Sequence, residues 1–410
     1  MRDFTPRVAF FTDSFHEANG VARTSREFAA YARSSFFPFL AVHPGTRTAH
    51  LRRGTYEAFE LAPSAATLQL EHDLTFDLLF MRHFRALRRT VAAFEPDLIH
   101  ITGPGHCGIL GAMLAYSLGV PLVASWHTNV HEYASRRLAR MLQGWPQSLR
   151  HAGVSFSEQR ALDLTVRFYQ LARILFAPNP ELMAMLKQRT SQPVHLMARG
   201  IDCRLFHPQR RTATGHPFTI GYVGRLSTEK NVRLFAALEA QLRQSGITDH
   251  RFLIVGEGSE REWLRQNLTN AELPGVLHGD ALATAYANMD AFVFPSETDT
   301  YGNVVQEALA SGVPCIVSAH GGPQFLIEAG ETGFVAQDPS AYATAITRLI
   351  QDPALLARMR IHARAAALER NWNAVFDDVY AAYRMGLKEG TIPRSRRASR
   401  PSTNWARRAV

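Results

Sequence analysis

Short apolar runs alternate with stretches of helical periodicity along most of the chain. The run 289–294 predicts a buried strand, because its last four residues have no polar interruption and a proline follows them. Gly302 and Asn303 then open a helix over Val304–Ala310, and the next strand is Cys315–Ser318. This order of strand, loop, helix and strand is typical of α/β folds with parallel sheets.

The same alternation extends through both halves of the sequence. It predicts strands at Val8–Phe11, 96–101, 121–125, 174–178, 193–197, Phe218–Val223, 252–255 and 276–279, and helices from near Val21, over Leu70–Phe94 and over Ile109–Leu118. Residues 209–217 break the periodicity with polar, glycine and proline residues and are predicted to be an interdomain linker. Because 410 residues exceed what one hydrophobic core usually fills, we expect two domains, residues 1–208 and 218–371, then a helix at 372–386 and a tail at 387–410.

The composition is that of an ordinary globular protein, with 46% hydrophobic and 20% charged residues. No apolar stretch reaches the length of a membrane span, and the N-terminus leads into a short strand rather than a signal peptide. The three cysteines are far apart and show no paired metal-ligand spacing, so no zinc site is predicted. These features predict a cytoplasmic protein.

The formal net charge of +9 is concentrated near the C-terminus, where residues 385–410 carry +6 and leave +3 for the rest of the chain. A charge placed in this way does not predict a nucleic-acid partner. The predicted disordered tail either adheres to anionic lipid or only improves solubility. The basic amphipathic segment 131–150 either lies on the inner face of the cell membrane as a peripheral contact or packs its apolar face on its own domain.

Two acidic residues lie near the start of the helix Val304–Ala310. Asp299 is in the loop at the carboxyl edge of the predicted sheet, where open α/β folds bind ligands, and Glu307 is near the first turn of the helix. Carboxylates accept hydrogen bonds from hydroxyl groups, and the unpaired N–H groups around Gly302 and Asn303 suit a phosphate. Together they indicate a sugar phosphate. The spacing alone equally fits two acids that the helix dipole favours.

Two cations begin the second half of the chain, just after the strand Phe218–Val223. Arg225 and Lys230 flank a predicted helix start, where a guanidinium fork, an ammonium and the helix dipole can converge on one diphosphate. As an isolated pair they also fit a solvated surface. The Gly256-Glu-Gly258 turn after the next strand lacks a third glycine at the dinucleotide spacing, so NAD binding is set aside.

Two residues of the first half occupy similar loop positions. Gly20 immediately precedes a helix start, where the missing Cβ lets the backbone approach a phosphate, although glycine is also a common turn residue. His127 follows the strand 121–125 at the ligand-binding edge and can hydrogen-bond a sugar hydroxyl, although most histidines are structural. Both are candidate ligand contacts.

Several ordered motifs together resemble a known family. They are Asn19-Gly-Val-Ala-Arg-Thr, His127-Thr-Asn, Arg199-Gly-Ile-Asp-Cys-Arg-Leu-Phe-His-Pro208, Gly224-Arg with Lys230, Gly256-Glu-Gly, and Thr298-Asp-Thr-Tyr-Gly-Asn-Val-Val-Gln-Glu-Ala-Leu-Ala-Ser-Gly312. In this order they resemble a retaining GT-B glycosyltransferase of family 4, from about Val8 to Arg384. Within that family the chain is most similar to bacterial GDP-mannose-dependent α-mannosyltransferases that modify lipids.

The resemblance implies two facing Rossmann-like domains with a cleft between them, and a C-terminal helix that returns to the first domain. It implies a site divided between the domains, in which Gly20 lies against the donor phosphates, His127 contacts the donor sugar, Arg225 and Lys230 neutralise the diphosphate, and Glu307 binds the ribose hydroxyls. Asp299 takes the first position of the family's Glu-x7-Glu pattern and would hold the transferred sugar. Asp for Glu, Trp126 for Tyr or Phe, and Gln306 for an apolar residue depart from the family pattern.

The expected function is the transfer of a hexose, mannose from GDP-mannose, to a hydroxyl of a lipid or glycan acceptor with retention of configuration. One alternative is a UDP-sugar-dependent enzyme of the glucosyl- or sulfoquinovosyl-diacylglycerol type. The others are an epimerase and a nucleotide-sugar-binding protein without transfer. No cofactor or metal is expected, because Arg225 and Lys230 supply the positive charge that the leaving diphosphate needs.

Overall fold

Parallel strands form two separate sheets in the computed structural model, which describes residues 4–17, 19–71, 74–127, 159–212 and 217–388. Each sheet is the centre of one of two compact units. Unit 1 comprises Met1–Phe176, Leu186–His195 and Asp378–Val410, and unit 2 comprises Ala177–Met185 and Leu196–Asp377. The chain therefore has the α/β architecture that its alternating pattern predicts.

Among the described residues of unit 1, eight strands form one sheet and two more form an antiparallel hairpin. They are β1 Val8–Phe11, β2 Phe39–Pro44, β3 Ala49–Arg53, β4 Tyr56–Leu61, the hairpin β5 Thr67–Glu71 and β6 Leu74–Asp77, β7 Leu98–Ile101, β8 Leu122–Ser125, β9 Ile174–Ala177 and β10 Val194–Leu196. The sheet order is β10-β9-β8-β7-β1-β2-β4-β3. Neighbours from β9 to β4 are parallel, and β3 is antiparallel to β4.

The sheet of unit 2 is parallel throughout. Its strands are β11 Phe218–Val223, β12 His250–Val255, β13 Ala271–Gly275, β14 Ala291–Phe294, β15 Cys315–Ser318 and β16 Gly333–Ala336. They lie in the order β13-β12-β11-β14-β15-β16. The central strands are unbroken buried runs because helices cover both faces of a parallel sheet.

The helices alternate with the strands along the chain. They are α1 Gly20–Ser34, α2 Phe84–Phe94, α3 His106–Leu118, α4 (described over 159–169), α5 Pro180–Arg189, α6 Leu234–Gln244, α7 Arg261–Asn267, α8 Gly279–Ala287, α9 Asn303–Ala310, α10 Pro339–Gln351, α11 Pro353–Leu368 and α12 Trp372–Lys388. None of the described helices combines the length and the apolar composition that crossing a membrane requires.

Two predicted elements are wrong. The predicted helix Leu70–Phe94 is helical only from about residue 80, because the residues before it belong to the hairpin β5–β6. The side chain of Asp77, the last residue of β6, forms an ion pair at 2.6 Å with Arg82 in the first helical turn. The predicted strand at 276–279 lies just after the real strand, β13. Gly279 instead begins α8. In contrast, the predicted strands β1, β11 and β15 are confirmed to the residue.

Three predicted segments fall wholly or partly outside the described residues. These are the basic segment 131–150, the linker 209–217, of which 213–216 is not described, and the tail, of which only residues up to 388 are described. The last helix, α12, contributes to unit 1 from Asp378 onward. There the ring of Tyr380 packs against Phe28 and Phe37, with ring centroids 5.9 and 4.8 Å apart.

Candidate active site

The strand order of unit 2 defines where a ligand-binding crevice forms. The first strand of this unit, β11, lies between β12 and β14, so the chain progresses outward on both sides of it. In open α/β sheets this switch point, at the carboxyl ends of the strands, is where ligands bind. The loop after β11 carries Arg225 and Lys230, and the loop after β14 carries Asp299. Three of the predicted site residues therefore lie at the switch point.

Lys230 and Asp299 are in direct contact across this point. The Lys230 ammonium donates hydrogen bonds to both carboxylate oxygens of Asp299, at Nζ–Oδ distances of 2.8 and 2.7 Å. Their side chains are 20% and 26% exposed, so the pair is partly open to solvent. An ammonium has three protons, and Asp299 takes at most two of them. The pair thus presents a cation and a carboxylate side by side.

Arg225 is the more open of the two cations. Its side chain is 47% exposed, and its Nη1 lies 3.9 Å from a carboxylate oxygen of Glu229. The Tyr222 hydroxyl donates to the Arg225 carbonyl at 2.9 Å and fixes the backbone of the loop. The predicted helix start at this position is only a single turn, Thr228–Lys230, because Asn231 adopts a left-handed conformation with φ of 54° and ends it.

The Gly256-Glu-Gly258 turn supports the loop that holds Arg225. A Cβ added at Gly256 would lie 1.9 Å from the Gly224 carbonyl oxygen, and one at Gly258 would lie 2.1 Å from the Leu226 carbonyl oxygen. Leu226 N–H in turn donates to the Glu257 carbonyl at 2.9 Å. The two glycines are therefore explained by the close approach of two loops.

Helix α9 begins at the predicted position and carries three further candidates. Gly302 is its N-cap, with φ of 92° and no side-chain cap, and Asn303 is its first residue. The first-turn N–H groups thus lack a capping side chain, which is the arrangement that suits an anion. Glu307 is buried one residue beyond the first turn, and its carboxylate accepts a hydrogen bond from the Tyr286 hydroxyl at 2.9 Å.

Gln306 links α9 to the Arg199-Gly-Ile-Asp202 motif, which lies in unit 2. The Gln306 amide donates to the Arg199 carbonyl and to the Tyr301 hydroxyl, both at 2.9 Å. The Tyr301 hydroxyl donates to the same carbonyl at 3.1 Å. Gln306, which departs from the family pattern, therefore connects the site loop to this motif by hydrogen bonds.

In unit 1 the switch point lies between β1 and β7, and it holds a residue that sequence reasoning missed. The Asp13 carboxylate accepts hydrogen bonds from the N–H groups of Cys107 at 2.8 Å and Gly108 at 3.4 Å, in the first turn of α3. Burial raises the pKa of Asp13, although the neighbouring His106 opposes the shift. A carboxylate two residues after the buried strand β1 was the signal that could have found it.

Gly20 and His127 also belong to unit 1. Gly20 is the first residue of α1. The N-cap residue of this helix, Asn19, accepts a hydrogen bond through its side chain from the Ala22 N–H at 2.9 Å. His127 is buried just past the end of β8, and its Nε2 lies 2.6 Å from the Ser125 hydroxyl oxygen. The role of each residue toward a donor stays a prediction.

Two groups of three side chains in the described part of unit 1 lie close enough to hold a metal ion, with ligand atoms within 4.8 Å of one another. They are Asp13, His106 and Cys107, and His16, His43 and Glu60. Neither group includes a residue predicted to bind the donor. The predicted interaction of Arg225 and Lys230 with a diphosphate therefore does not involve these clusters.

Comparison with known proteins agrees with this geometry. A family model described as "Glycosyltransferase Family 4" matches residues 18–205, and one described as "Glycosyl transferases group 1" matches residues 217–352. A sucrose-phosphate synthase from Thermosynechococcus elongatus has the same fold at a TM-score of 0.68 and 21% identity, covering 93% of this chain and 99% of its own. The fold is thus that of the GT-B glycosyltransferases, as predicted.

Two relatives whose names state an activity indicate the kind of glycosyltransferase family to which the chain belongs. A GDP-mannose-dependent alpha-mannosyltransferase from Mycobacterium tuberculosis is 32% identical over 92% of this chain and 96% of its own length. The sulfoquinovosyl transferase SQD2 from Arabidopsis thaliana is also 32% identical, over 63% of this chain and 50% of its own. The chain belongs to glycosyltransferase family 4, and the predicted family is confirmed.

Proposed function

We propose that this glycosyltransferase moves mannose from GDP-mannose to a hydroxyl of a lipid or glycan acceptor, with retention of configuration and without a metal ion. The observation that carries the proposal is the Lys230–Asp299 pair at the switch point, with Asp299 four residues before Asn303, the first residue of α9. The mannosyltransferase relative supports the choice of donor, since it matches this chain over nearly its whole length.

In the proposed reaction, the bond between the anomeric carbon and the diphosphate oxygen breaks, and a bond to the acceptor oxygen forms on the same face. The acceptor proton passes to the departing phosphate oxygen. The diphosphate gains negative charge in this step. Arg225, Lys230 and the backbone N–H groups at Gly302 and Asn303 stabilise that charge, because they are positioned before the reaction begins. These cations supply what a metal ion would otherwise supply.

The remaining candidates bind hydroxyl groups. Asp299 accepts from a hydroxyl of the transferred sugar, and Glu307 accepts from the ribose hydroxyls of the nucleotide. In unit 1 the proposal assigns His127 to the donor sugar and Gly20 to the donor phosphates. Asp299 reaches one methylene less far than Glu would, and its double hydrogen bond to Lys230 fixes the direction in which it points.

Donor choice is tested by a thermal-shift series on the purified chain. A ligand present at 100 times its dissociation constant stabilises the folded state by about 2.7 kcal/mol, which corresponds to roughly 3 °C in the melting temperature of a 410-residue chain. We expect GDP-mannose and GDP to give such a shift. ADP-mannose, which carries the same sugar on another base, is the matched control. Stabilisation by UDP-glucose and not by GDP-mannose would overturn the donor assignment.

The second candidate is a UDP-sugar-dependent transfer that makes a glycolipid of the glucosyl- or sulfoquinovosyl-diacylglycerol type, and the similarity to the sulfoquinovosyl transferase favours it. It predicts a thermal shift with UDP in place of GDP. The epimerase and the binding protein without transfer are separated by product analysis. An epimerase converts the donor in the absence of any acceptor, whereas a binding protein gives no product with any membrane extract.

A surface of unit 1 supports the lipid acceptor. Three large apolar side chains before helix α2 are 44–55% exposed, and the exposed side of α2 carries arginines. Apolar side chains beside cations match the interface of an anionic bilayer, because the apolar groups enter the headgroup boundary while the cations meet lipid phosphates. This basic apolar surface consists of Leu78, Leu79, Met81, Arg85, Arg88 and Arg89.

Replacing Arg85, Arg88 and Arg89 together with glutamine is expected to weaken binding to phosphatidylglycerol vesicles about 100-fold. Each arginine near an anionic surface contributes about 1 kcal/mol, so three contribute about 3 kcal/mol. Vesicle cosedimentation at fixed ionic strength measures the effect. Three exposed arginines of unit 2, replaced with glutamine, make a control of equal charge: Arg243, Arg265 and Arg358. Equal losses in both variants would show that only net charge matters and would refute the surface.

A further inference from the structure

A chain of hydrogen bonds runs through the interior of unit 1 and ends at His127. It begins on helix α12, where the Tyr383 hydroxyl contacts Nδ1 of His100 on β7. The other nitrogen of that ring, Nε2, is 2.9 Å from the Ser125 hydroxyl oxygen on β8. Ser125 in turn lies 2.6 Å from Nε2 of His127. All four side chains are buried, between 0% and 6% exposed.

The ionisation states in the first half of this chain are fixed by burial. Burial lowers the pKa of His100 to about 3, so its ring carries a single proton at neutral pH. Burial also raises the pKa of Tyr383 well above its ordinary value, so the hydroxyl keeps its proton. Among the described residues, the only hydrogen-bond partner of that hydroxyl is His100 Nδ1. A buried O–H without an acceptor is unfavourable, and therefore Tyr383 donates to Nδ1.

Proton accounting then sets the direction of every later bond. Since Nδ1 of His100 accepts, the ring proton is on Nε2, and Nε2–H donates to the Ser125 oxygen. The single hydroxyl proton of Ser125 is left to donate to Nε2 of His127. We infer that Tyr383, His100 and Ser125 are positioning residues that keep His127 Nε2 as a hydrogen-bond acceptor, so that neutral His127 carries its proton on Nδ1.

This arrangement defines what His127 can offer to a ligand. Nδ1–H is a donor, so at this nitrogen neutral His127 can donate to an oxygen of the donor sugar but cannot accept from a hydroxyl. That consequence rests on the proposed function, whereas the tautomer itself does not. The residues before His127 are held in place as well: Trp126 stacks on Tyr169 with ring centroids 4.8 Å apart, and the Tyr169 hydroxyl donates to the Ser125 carbonyl at 3.1 Å.

The test is long-range 1H–15N correlation NMR on the full chain labelled with 15N-histidine, because the nitrogen shifts distinguish the two neutral tautomers. The His127 signals are assigned by their loss in His127→Gln. We expect the Nδ1–H tautomer in the unaltered chain, and a mixture of both tautomers in Tyr383→Phe, which removes the proton that sets the direction. Ser125→Ala is the second variant. It breaks the chain next to His127 and is expected to give the same mixture.

Tyr380→Phe is the matched control. Tyr380 is on the same helix and equally buried, and its hydroxyl has no hydrogen-bond partner among the described residues. It is expected to leave the tautomer unchanged. If the chain transfers mannose, Tyr383→Phe should also lower kcat roughly tenfold relative to Tyr380→Phe. Two results would overturn the inference, whether or not transfer occurs. The first is an Nε2–H tautomer of His127 in the unaltered chain. The second is a tautomer of His127 that stays the same in both Tyr383→Phe and Ser125→Ala.

Discussion

Replacing Lys230 with alanine is expected to lower kcat/KM for transfer by about 100- to 1000-fold, the loss typical of removing one preorganised group that stabilises transition-state charge. The reason is electrostatic. Lys230 is fixed by two hydrogen bonds to Asp299, so its position does not have to be adjusted when charge develops on the diphosphate. Steady-state kinetics with the donor identified by thermal shift measure the loss.

The fold is expected to survive this change. Both side chains of the pair are at least one-fifth exposed, so water can solvate Asp299 after Lys230 is removed, and partly exposed ion pairs contribute little to stability. The melting temperature checks this point. Lys187→Ala, which removes an exposed lysine of α5, is the control for the loss of one positive charge. Full turnover of purified Lys230→Ala protein would refute the site assignment.

A double-mutant cycle separates two ways in which Lys230 could act. If it serves only to orient Asp299, then Lys230→Ala, Asp299→Ala and the double variant should lose similar amounts of activity. If Lys230 acts on the diphosphate and Asp299 on the sugar, while each also holds the other in place, the double variant should lose more than either single variant but less than the sum of the two losses. The proposed roles require the second result. A double variant no worse than either single variant would assign the charge stabilisation elsewhere, with Arg225 as the next candidate.

The elements around the site could be predicted from the sequence because their signals are local. An unbroken apolar run followed by proline fixes the end of β14, and the glycine before Asn303 fixes the start of α9. Once the strands are known to be parallel, their carboxyl ends must share one edge. Asp299 and the loop of Arg225 are therefore predicted at the same edge of the sheet, and the structure places both at one switch point.

Contacts between distant side chains could not be predicted in the same way. The Lys230–Asp299 pair joins residues 69 positions apart, and Tyr383 meets His100 across 283 positions. His100 lies in the middle of an apolar strand, and no periodicity distinguishes a buried relay from an ordinary core histidine there. Likewise, the sequence does not distinguish Asp13 from other loop residues. Its contact with the first turn of α3 follows only from the position of β1 next to β7 in the sheet.

The second large effect is expected from replacing Glu307 with alanine, which should lower kcat/KM for the donor by the factor by which nucleotide binding weakens. Hydrogen bonds to a charged group contribute about 1.5–3 kcal/mol, so GDP should bind roughly 10- to 150-fold more weakly. Isothermal titration measures this loss without any acceptor. The carboxylate is buried against Tyr286, whose hydroxyl donates to it. Tyr286→Phe therefore tests how far orientation of the carboxylate matters, and it should cost less than removing Glu307 itself.

The ligand can be altered as well, which separates binding of the ribose from any other role of Glu307. If the carboxylate accepts from the ribose hydroxyls, the unaltered chain should bind 2′-deoxy-GDP more weakly than GDP, because one donor is missing. Glu307→Ala should then bind the two nucleotides about equally, since its partner for that hydroxyl is gone. A variant that still prefers GDP by the original factor would show that another group reads the ribose. In that case Glu307 would act mainly through its hydrogen bond to Tyr286, as part of the interior of unit 2.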